Sequence, residues 1–562
     1  MIVYQILTRL FGNKTRANIP NGSYEENGSA KMNDIDEKVL RFISYMGVSH
    51  VWYTGIIRQA TQTDFSKYGI PRQHPDVVKG KAGSPYAITD YYDVSPELAT
   101  DVEHRMAEFE ALVARTHQAG LKVIIDFVPN HVARQYQSIA KPSGVKGLGE
   151  ADNPNEGFSP SNNFYYCTGQ EFVAPESSGS GERGARSEIC DHYQEFPAKA
   201  TGNDCFTNAP GRNDWYETVK LNYGVDYYAG RVGHFDPIPD TWQKMLDILL
   251  FWTAKGVDGF RCDMVFMVPV EFWQWAIPQV KSVNPDIVFV GEIYDPAIYR
   301  SYIAAGFDYL YDKVGMYDCV RGVICGYRRA ADITWQWQTT NDISDHMLYF
   351  LENHDEQRLA SDFFAHDGRR GLPGVLVSAL LQKNPFMLYA GQEFGERGMD
   401  AEGFSGQDGR TTIFDYWHLE SIHHGYFNRR KLTAEEKALM LDYQKILLLK
   451  QRERAIREGE MFDLMYVNQH IGDRQFAFLR KAANELLLVV ANFSGVQAEV
   501  GVTIPRHAFS HLDIPEGEQQ ATDLLTGEKT MFCLQADCAV HTTVAPWLGR
   551  VYQIKLKKSY KR

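Results

Sequence analysis

The stretch Gly259-Phe260-Arg261-Cys262-Asp263 is a short, mostly apolar segment that ends in a carboxylate. Between residues 240 and 255, apolar residues recur at i, i+3, i+4, i+7 and i+8, which predicts an amphipathic helix directly before it. A helix that leads into a strand is half of a β/α repeat. Side chains alternate along a strand, so Arg261 and Asp263 share one face, where the arginine can keep the carboxylate ionised. By itself, an Arg–Asp pair is more often a structural salt bridge.

Three further apolar segments also end in acidic residues or histidines. They are Leu121–His131, which contains Asp126, then Asp286–Glu292, and Met347–Asp355, which ends in His354 and Asp355. A solvated loop would not require such endings on four apolar segments. In a parallel barrel the C-terminal ends of the strands meet at one rim, and catalytic residues lie there. The four segments are therefore consistent with a barrel whose functional residues meet at that rim.

Four motifs occur in order along the chain: Asp126-Phe-Val-Pro-Asn-His131, Gly259-Phe-Arg-Cys-Asp263, Val290-Gly-Glu292 and Glu352-Asn-His-Asp355. Together they resemble the strand ends of the α-amylase superfamily of retaining glycoside hydrolases, glycoside hydrolase family 13. The resemblance implies an α/β fold built on a (β/α)8 TIM barrel. It also implies an irregular insertion after strand 3 and a C-terminal antiparallel β-sandwich.

Changes in the local pattern place the expected domains. Residues 1–132 and 240–456 are expected to form the catalytic barrel. Periodicity is lost over 133–239, the expected inserted domain B, where Pro, Gly, Ser and Asn dominate residues 141–212. Short strands separated by turns characterise residues 457–562 and predict the β-sandwich.

The resemblance also implies roles for individual residues. Asp263 is expected to be the nucleophile, Glu292 the acid/base, and Asp355 the carboxylate that binds sugar hydroxyls and stabilises the transition state. The residues expected to bind substrate are Tyr86, His131, Arg261 and His354. For the histidines, the alternative is an ordinary hydrogen-bonded side chain, and for Tyr86 it is simple loop packing.

Composition limits the classes of function. The chain has 562 residues, enough for two or three domains, and a formal charge of −13, which argues against nucleic acid or an anionic membrane as a partner. No apolar run is long enough to span a membrane. The N-terminal residues lack the basic region of a signal peptide. We therefore expect a cytoplasmic protein, or one whose signal peptide has been removed, and the oligomeric state stays open.

The resemblance implies hydrolysis of α-glucosidic bonds, mainly α-1,4, in starch-derived glucans or malto-oligosaccharides. A transglycosylase is the first alternative, because the same catalytic residues serve both reactions. A non-catalytic glycan-binding barrel is a weaker one, because such proteins usually lose one of the three acids. Endo-amylases often carry Lys-His three and four residues after the nucleophile, where this chain has Phe266 and Met267. That difference favours short substrates over long starch chains.

No cofactor is expected for catalysis. A structural calcium ion is left open, because Asn130 corresponds to a position that ligates calcium in relatives that carry that site. The first loop, from about Thr8 to Asn33, does not reproduce the acidic calcium run of many family members. The metal ligands are therefore unassigned by the sequence.

Overall fold

A closed barrel of eight parallel strands forms the centre of the protein. The computed structural model describes residues 1–175, 192–398, 403–404 and 406–556. The strands are β1 (Ile2–Leu7), β2 (His50–Thr54), β3 (Lys122–Phe127), β4 (Gly259–Cys262), β5 (Val288–Gly291), β6 (Tyr309–Tyr311), β7 (Met347–Phe350) and β8 (Phe386–Tyr389). Each strand pairs with its neighbours in chain order, and β1 pairs with β8 to close the ring. The predicted (β/α)8 barrel is confirmed.

The barrel interior follows from the alternation of side chains along each strand. One apolar cluster inside it includes Val3, Trp52, Ile124, Val290, Tyr311, Leu348 and Met387. Two residues further along, the inward positions become polar, with Gln5, Asp126 and Glu292 following Val3, Ile124 and Val290. The lower layer is thus packed apolar core, and the polar groups gather at the C-terminal rim.

Helices surround the barrel. They are α1 (Glu37–Tyr45), α2 (Arg105–Gln118), α3 (Asp240–Ala254), α4 (Val270–Val283), α5 (Tyr299–Ala304), α6 (Asp318–Cys325), α7 (Leu372–Leu380) and α8 (Ala434–Arg452), with a further helix at Asp332–Thr339. The helix predicted before β4 is present as α3. Gly256 follows it with φ of +87°, a left-handed conformation that suits glycine and turns the chain into β4. No helix among the described residues has both the length and the apolar character needed to cross a membrane.

The segment between β3 and α3 is irregular. Its ends are tied to the barrel rim because the strand His131–Ala133 pairs antiparallel with Thr218–Lys220. Two other short pairs join Tyr166–Cys167 to Ala198–Lys199 and Val225–Asp226 to Val232–Gly233. Part of the expected domain B, residues 176–191, lies outside the described residues. The irregular insertion after strand 3 is confirmed.

The C-terminal region is an antiparallel β structure, as predicted. Six strands form one sheet in the order β9 (Glu460–Asp463), β10 (Gln475–Ala482), β11 (Glu485–Asn492), β16 (Leu548–Lys555), β13 (Gly517–Asp523) and β14 (Lys529–Leu534), and β12 (Ala498–Ile504) pairs with β15 (Cys538–Val544). The sheet contacts α7 closely, since a Cβ on Gly549 would lie 2.2 Å from Leu376 Cδ2. Arg480, buried at this junction, donates to the carbonyls of Leu381, Ala455, Ile456 and Gly459.

Candidate active site

Arg261 lies at the centre of the C-terminal rim. It is 1% exposed. Its Nη1 donates to Asp263 Oδ1 at 2.8 Å, and its Nη2 lies 2.7 Å from Glu292 Oε2. The rings of Trp52, Tyr86 and Tyr311 surround the guanidinium, with centroids 5.2 to 5.5 Å from its carbon. One buried cation therefore contacts both of the carboxylates to which the sequence analysis gave catalytic roles.

Asp263 and Glu292 are brought together by strand register. Cys262 on β4 pairs with Gly291 on β5, so the next residue on each strand leaves the sheet at the same level. Both carboxyl groups contact the Arg261 guanidinium, Asp263 through Nη1 and Glu292 through Nη2. Burial raises the pKa of Asp263 well above its ordinary value, the Glu292 carboxylate raises it further, and Arg261 opposes both. Burial beside a second carboxyl group therefore favours the protonated form of Asp263.

Glu292 accepts hydrogen bonds from two neighbouring residues. Its Oε1 accepts a hydrogen bond from the Tyr294 hydroxyl, and its Oε2 accepts one from the Met264 N–H at 2.9 Å. Met264 has a φ of +44°, an uncommon conformation for a non-glycine residue, at the turn where its N–H meets the carboxylate. Both oxygens of Glu292 therefore have protein donors in this geometry. Sequence reasoning gave Tyr294 and Met264 no role, since neither carries the charge of a catalytic group.

Asp355 is the most accessible of the three acids. Its side chain is 41% exposed, against 9% for Asp263 and 3% for Glu292. Its Oδ2 lies 3.1 Å from His354 Nε2. Burial acts to raise the pKa of Asp355, but the charge and hydrogen bond of His354 outweigh it, and the pKa falls to about 2. Asp355 is thus ionised at neutral pH and open to a ligand.

His354, which contacts Asp355, is held in place by Gln5 and Tyr86. Gln5 Nε2 lies 2.7 Å from His354 Nδ1, and the Tyr86 hydroxyl lies 2.5 Å from His354 Nε2. The Tyr86 and His354 rings are stacked, with centroids 5.2 Å apart. Both nitrogens of His354 have protein partners, so contact with a sugar hydroxyl requires one of them to give way. Gln5 was missed by sequence reasoning because it is 349 residues away from His354.

Asp126 has a structural role in the site. Its carboxylate accepts from Trp52 Nε1 at 3.1 Å, from the Gly55 N–H at 3.3 Å and from the Tyr86 hydroxyl at 3.3 Å. Arg261 Nη1 lies 3.6 Å away. All of these partners are part of the barrel rim or of the loops above it, so Asp126 holds Tyr86 and Trp52 in place.

A cavity of about 250 Å³ lies beside Asp355 and His354. Its other lining residues belong to one loop: Asp408, Arg410, Thr411, Ile413 and Phe414. Arg410 Nε donates to the Asp355 carbonyl oxygen at 2.6 Å, which fastens this loop to the end of β7. Sequence reasoning gave Arg410 no role. The cavity offers charged, polar and apolar surface next to the exposed Asp355 carboxylate.

His131 lies at the base of the insertion. It is 3% exposed, its Nδ1 lies 3.1 Å from Asn130 Nδ2, and its ring is 5.2 Å from that of Trp215. Burial lowers the pKa of His131 to about 3, and the charges of Lys220 and Lys79 act in the same direction. His131 is therefore a neutral imidazole, able to donate to a ligand without carrying charge.

Asn130 does not offer a free oxygen to a metal ion. Its Oδ1 accepts a hydrogen bond from Lys220 Nζ. Within the part of the chain that the structure describes, no group of three or more His, Cys, Asp and Glu side chains is placed to hold a metal. Asn130, which the sequence left open as a calcium ligand, is thus hydrogen-bonded to a lysine ammonium.

The lowered pKa of His131 predicts a pH dependence of stability. The unfolded chain protonates this residue below its ordinary pKa of 6.5, whereas the folded chain does so only near 3. The unfolded state binds the extra proton between these values, so the free energy of unfolding should fall as pH drops from about 6.5 to 3. His131→Asn should flatten that slope in a series of melting temperatures, while exposed His541→Asn should leave it unchanged. An unaltered slope in His131→Asn would contradict the assignment.

Residues 5–463 match the family model for the α-amylase catalytic domain. α-Amylase 3 of Dictyoglomus thermophilum is 23% identical over 432 residues, covering 73% of this chain and 74% of that protein. Neopullulanase 2 of Thermoactinomyces vulgaris is 22% identical over 548 residues, covering 94% of this chain and 74% of that protein. The crystal structure of a maltogenic α-amylase from Thermotoga neapolitana has a TM-score of 0.63 at 18% identity over 99% of each chain, a likeness of fold. The family match spans most of the sequence, and the chain therefore belongs to the α-amylase family of glycoside hydrolases and transferases.

Proposed function

We propose that this protein is a retaining enzyme that hydrolyses α-glucosidic bonds, mainly α-1,4, in malto-oligosaccharides and starch-derived glucans. The observation that carries the proposal is the contact of Asp263 and Glu292 with the same buried cation, Arg261. Such a pair supplies the nucleophile and the acid that double displacement requires. The third acid, Asp355, lies at the edge of an adjacent cavity. A non-catalytic barrel would not need this arrangement.

The first step places a carboxylate at the anomeric carbon. Asp263 attacks that carbon while Glu292 gives a proton to the departing glycosidic oxygen, which yields a glycosyl-enzyme ester and a free sugar hydroxyl. This requires Glu292 to carry the proton and Asp263 to be ionised. A sugar oxygen that approaches Glu292 takes the place of the Tyr294 hydroxyl or the Met264 N–H, the two donors that bind its oxygens in this structure.

The second step reverses the roles. Glu292, now ionised, takes a proton from water, whose oxygen attacks the anomeric carbon and releases Asp263. Arg261 stabilises the Asp263 carboxylate as it leaves. Asp355, ionised and exposed, is placed to bind sugar hydroxyls, with His354 holding its orientation. We assign Tyr86 and His131 to the same sugar, as a ring surface and a neutral hydrogen-bond donor respectively.

Asp263→Asn tests the nucleophile. The amide cannot form the ester, so kcat should fall by on the order of a thousandfold, about 4 kcal/mol of transition-state stabilisation. Asp286→Asn is the matched control, because Asp286 is exposed and precedes β5 at the opposite end of the barrel. Kinetics on maltopentaose and a melting curve for each variant separate chemistry from folding. Activity of Asp263→Asn within a few-fold of the parent would remove Asp263 from the mechanism.

The stereochemistry of the product tests double displacement independently. Two inversions at one carbon restore its configuration, so the first sugar released from an α-linked substrate should be the α anomer. Proton NMR in the first minutes, before mutarotation, measures this directly. Appearance of the β anomer first would rule out a retaining mechanism.

Transfer to a sugar acceptor and a preference for short chains form the second candidate. Phe266 and Tyr294 place two rings, 6.2 Å apart, next to Glu292, and the Met267 carbonyl is already bound to Lys220. The side chains at 266 and 267 offer no charged donor to the sugar that leaves. Apolar rings can enclose a short acceptor but cannot fix the hydroxyls of a long chain, which favours short malto-oligosaccharides and some transfer.

A maltoheptaoside blocked at its non-reducing end distinguishes these candidates. An enzyme that prefers short chains should cleave the blocked substrate at least about tenfold more slowly than the free one, and chromatography should show products longer than the starting sugar. The tenfold difference corresponds to about 1.4 kcal/mol of lost binding in the transition state. Rapid cleavage of the blocked substrate, with an early fall in the iodine staining of amylose, would instead identify an endo-acting hydrolase.

A further inference from the structure

Lys220 places a buried ammonium group where three segments of the chain meet. Its side chain is 2% exposed. Its Nζ donates to Asn130 Oδ1 and, at 3.1 Å, to the Met267 carbonyl oxygen, and it lies 2.7 Å from Asp204 Oδ1. The three oxygens come from the end of β3, the insertion and the loop after β4.

The chemistry of these oxygens is that of a hard-cation site. One is an amide oxygen, one a carboxylate oxygen and one a backbone carbonyl oxygen, the donor types that calcium selects at about 2.3 to 2.6 Å. An ion at that distance from the same three atoms would have to occupy the position of the Lys220 nitrogen. Two like charges cannot occupy one buried position. While Lys220 keeps these contacts, the residues present do not fit a calcium ion.

We propose that the Lys220 ammonium is a built-in replacement for a metal ion at the junction of insertion and barrel. The junction accordingly takes its positive charge from the chain itself and is insensitive to calcium and to chelators. The Tyr227 ring, 5.6 Å from Lys220 Nζ, adds a cation–π contact that suits an ammonium group. The alternative is an ordinary Lys220–Asp204 ion pair to which Asn130 and Met267 contribute nothing.

The position of Lys220 links it to the active site. It pairs in register with His131, and Asn130, its hydrogen-bond partner, is the residue before His131. Met267 closes the short turn that begins at Met264, whose N–H binds Glu292. Lys220 is therefore a positioning residue, which acts on the site through His131 and the loop after β4.

Two substitutions separate an ammonium site from a simple ion pair. Lys220→Ala removes the cation and leaves space among the three oxygens, whereas Lys220→Met fills that space with an apolar chain. Both should lower the melting temperature by at least about 2 °C, because the buried Asn130 oxygen loses its donor and Asp204 loses its ion-pair partner. Calcium chloride at millimolar concentration should recover part of the loss in Lys220→Ala and none in Lys220→Met. Lys199→Ala, which removes a lysine of the same insertion paired with Glu195, is the control and should show no calcium response.

The metal content of the parent protein tests the proposal without a Lys220 variant. After dialysis against chelator, the melting temperature of the parent should be unchanged. Elemental analysis should find no bound calcium in the parent that is lost in Asn130→Ala. Calcium bound stoichiometrically by the parent and lost in Asn130→Ala would overturn the proposal. So would a parent-like melting temperature for Lys220→Met, or a Lys220→Ala protein that folds but ignores calcium. These readouts are stability and metal content, so they stand whether or not the proposed hydrolysis is correct.

Discussion

The burial of one guanidinium group is the constraint on which the active site depends. An uncompensated buried charge costs several kcal/mol, so Arg261, which is 1% exposed, must be surrounded by partners. Asp263 and Glu292 supply the close anions, and the rings of Trp52, Tyr86 and Tyr311 supply polarisable surface. These groups come from β2, β6, the ends of β4 and β5, and the loop that carries Tyr86. Compensation of a single charge therefore fixes the separation of the catalytic acids and the tyrosine above them.

The same cation explains how two acids can share a dry site. Burial and the neighbouring Glu292 carboxyl group raise the pKa of Asp263, and the Arg261 charge opposes both effects. Double displacement needs an ionised nucleophile beside a protonated acid, so this opposing charge bears directly on the proposed mechanism. Gly291, the residue before Glu292, leaves room for β6 and its preceding loop, since a Cβ there would lie 2.9 Å from Leu310 Cδ2 and 3.1 Å from Phe307 Cδ1.

The parts of the fold that could be predicted from sequence are those set by local periodicity. Alternation of two along β4 placed Arg261 beside Asp263, and an apolar period of 3.6 predicted α3, because both patterns lie within a few residues of chain. Contacts closed by the barrel itself carry no such signal. Gln5 reaches His354 across 349 residues and Lys220 reaches Asn130 across 90, and nothing near Gln5 or Lys220 in sequence marks them. The roles of the site residues, as distinct from their positions, stay predictions.

The insertion and the barrel are joined by a charge of the same kind as the one at the centre of the site. Arg261 binds carboxylates that must change protonation, so a delocalised cation with several donors suits it. Lys220 binds oxygens that stay as they are, and a compact ammonium suits two hydrogen bonds, to Asn130 and the Met267 carbonyl, and one ion pair, with Asp204. A calcium ion would need about six to eight oxygen ligands. It would also dissociate when the free calcium concentration falls below the dissociation constant of the site. A lysine carried by the chain meets the same electrostatic demand at any calcium concentration, and it holds His131 next to the catalytic rim as long as the strand Thr218–Lys220 stays paired.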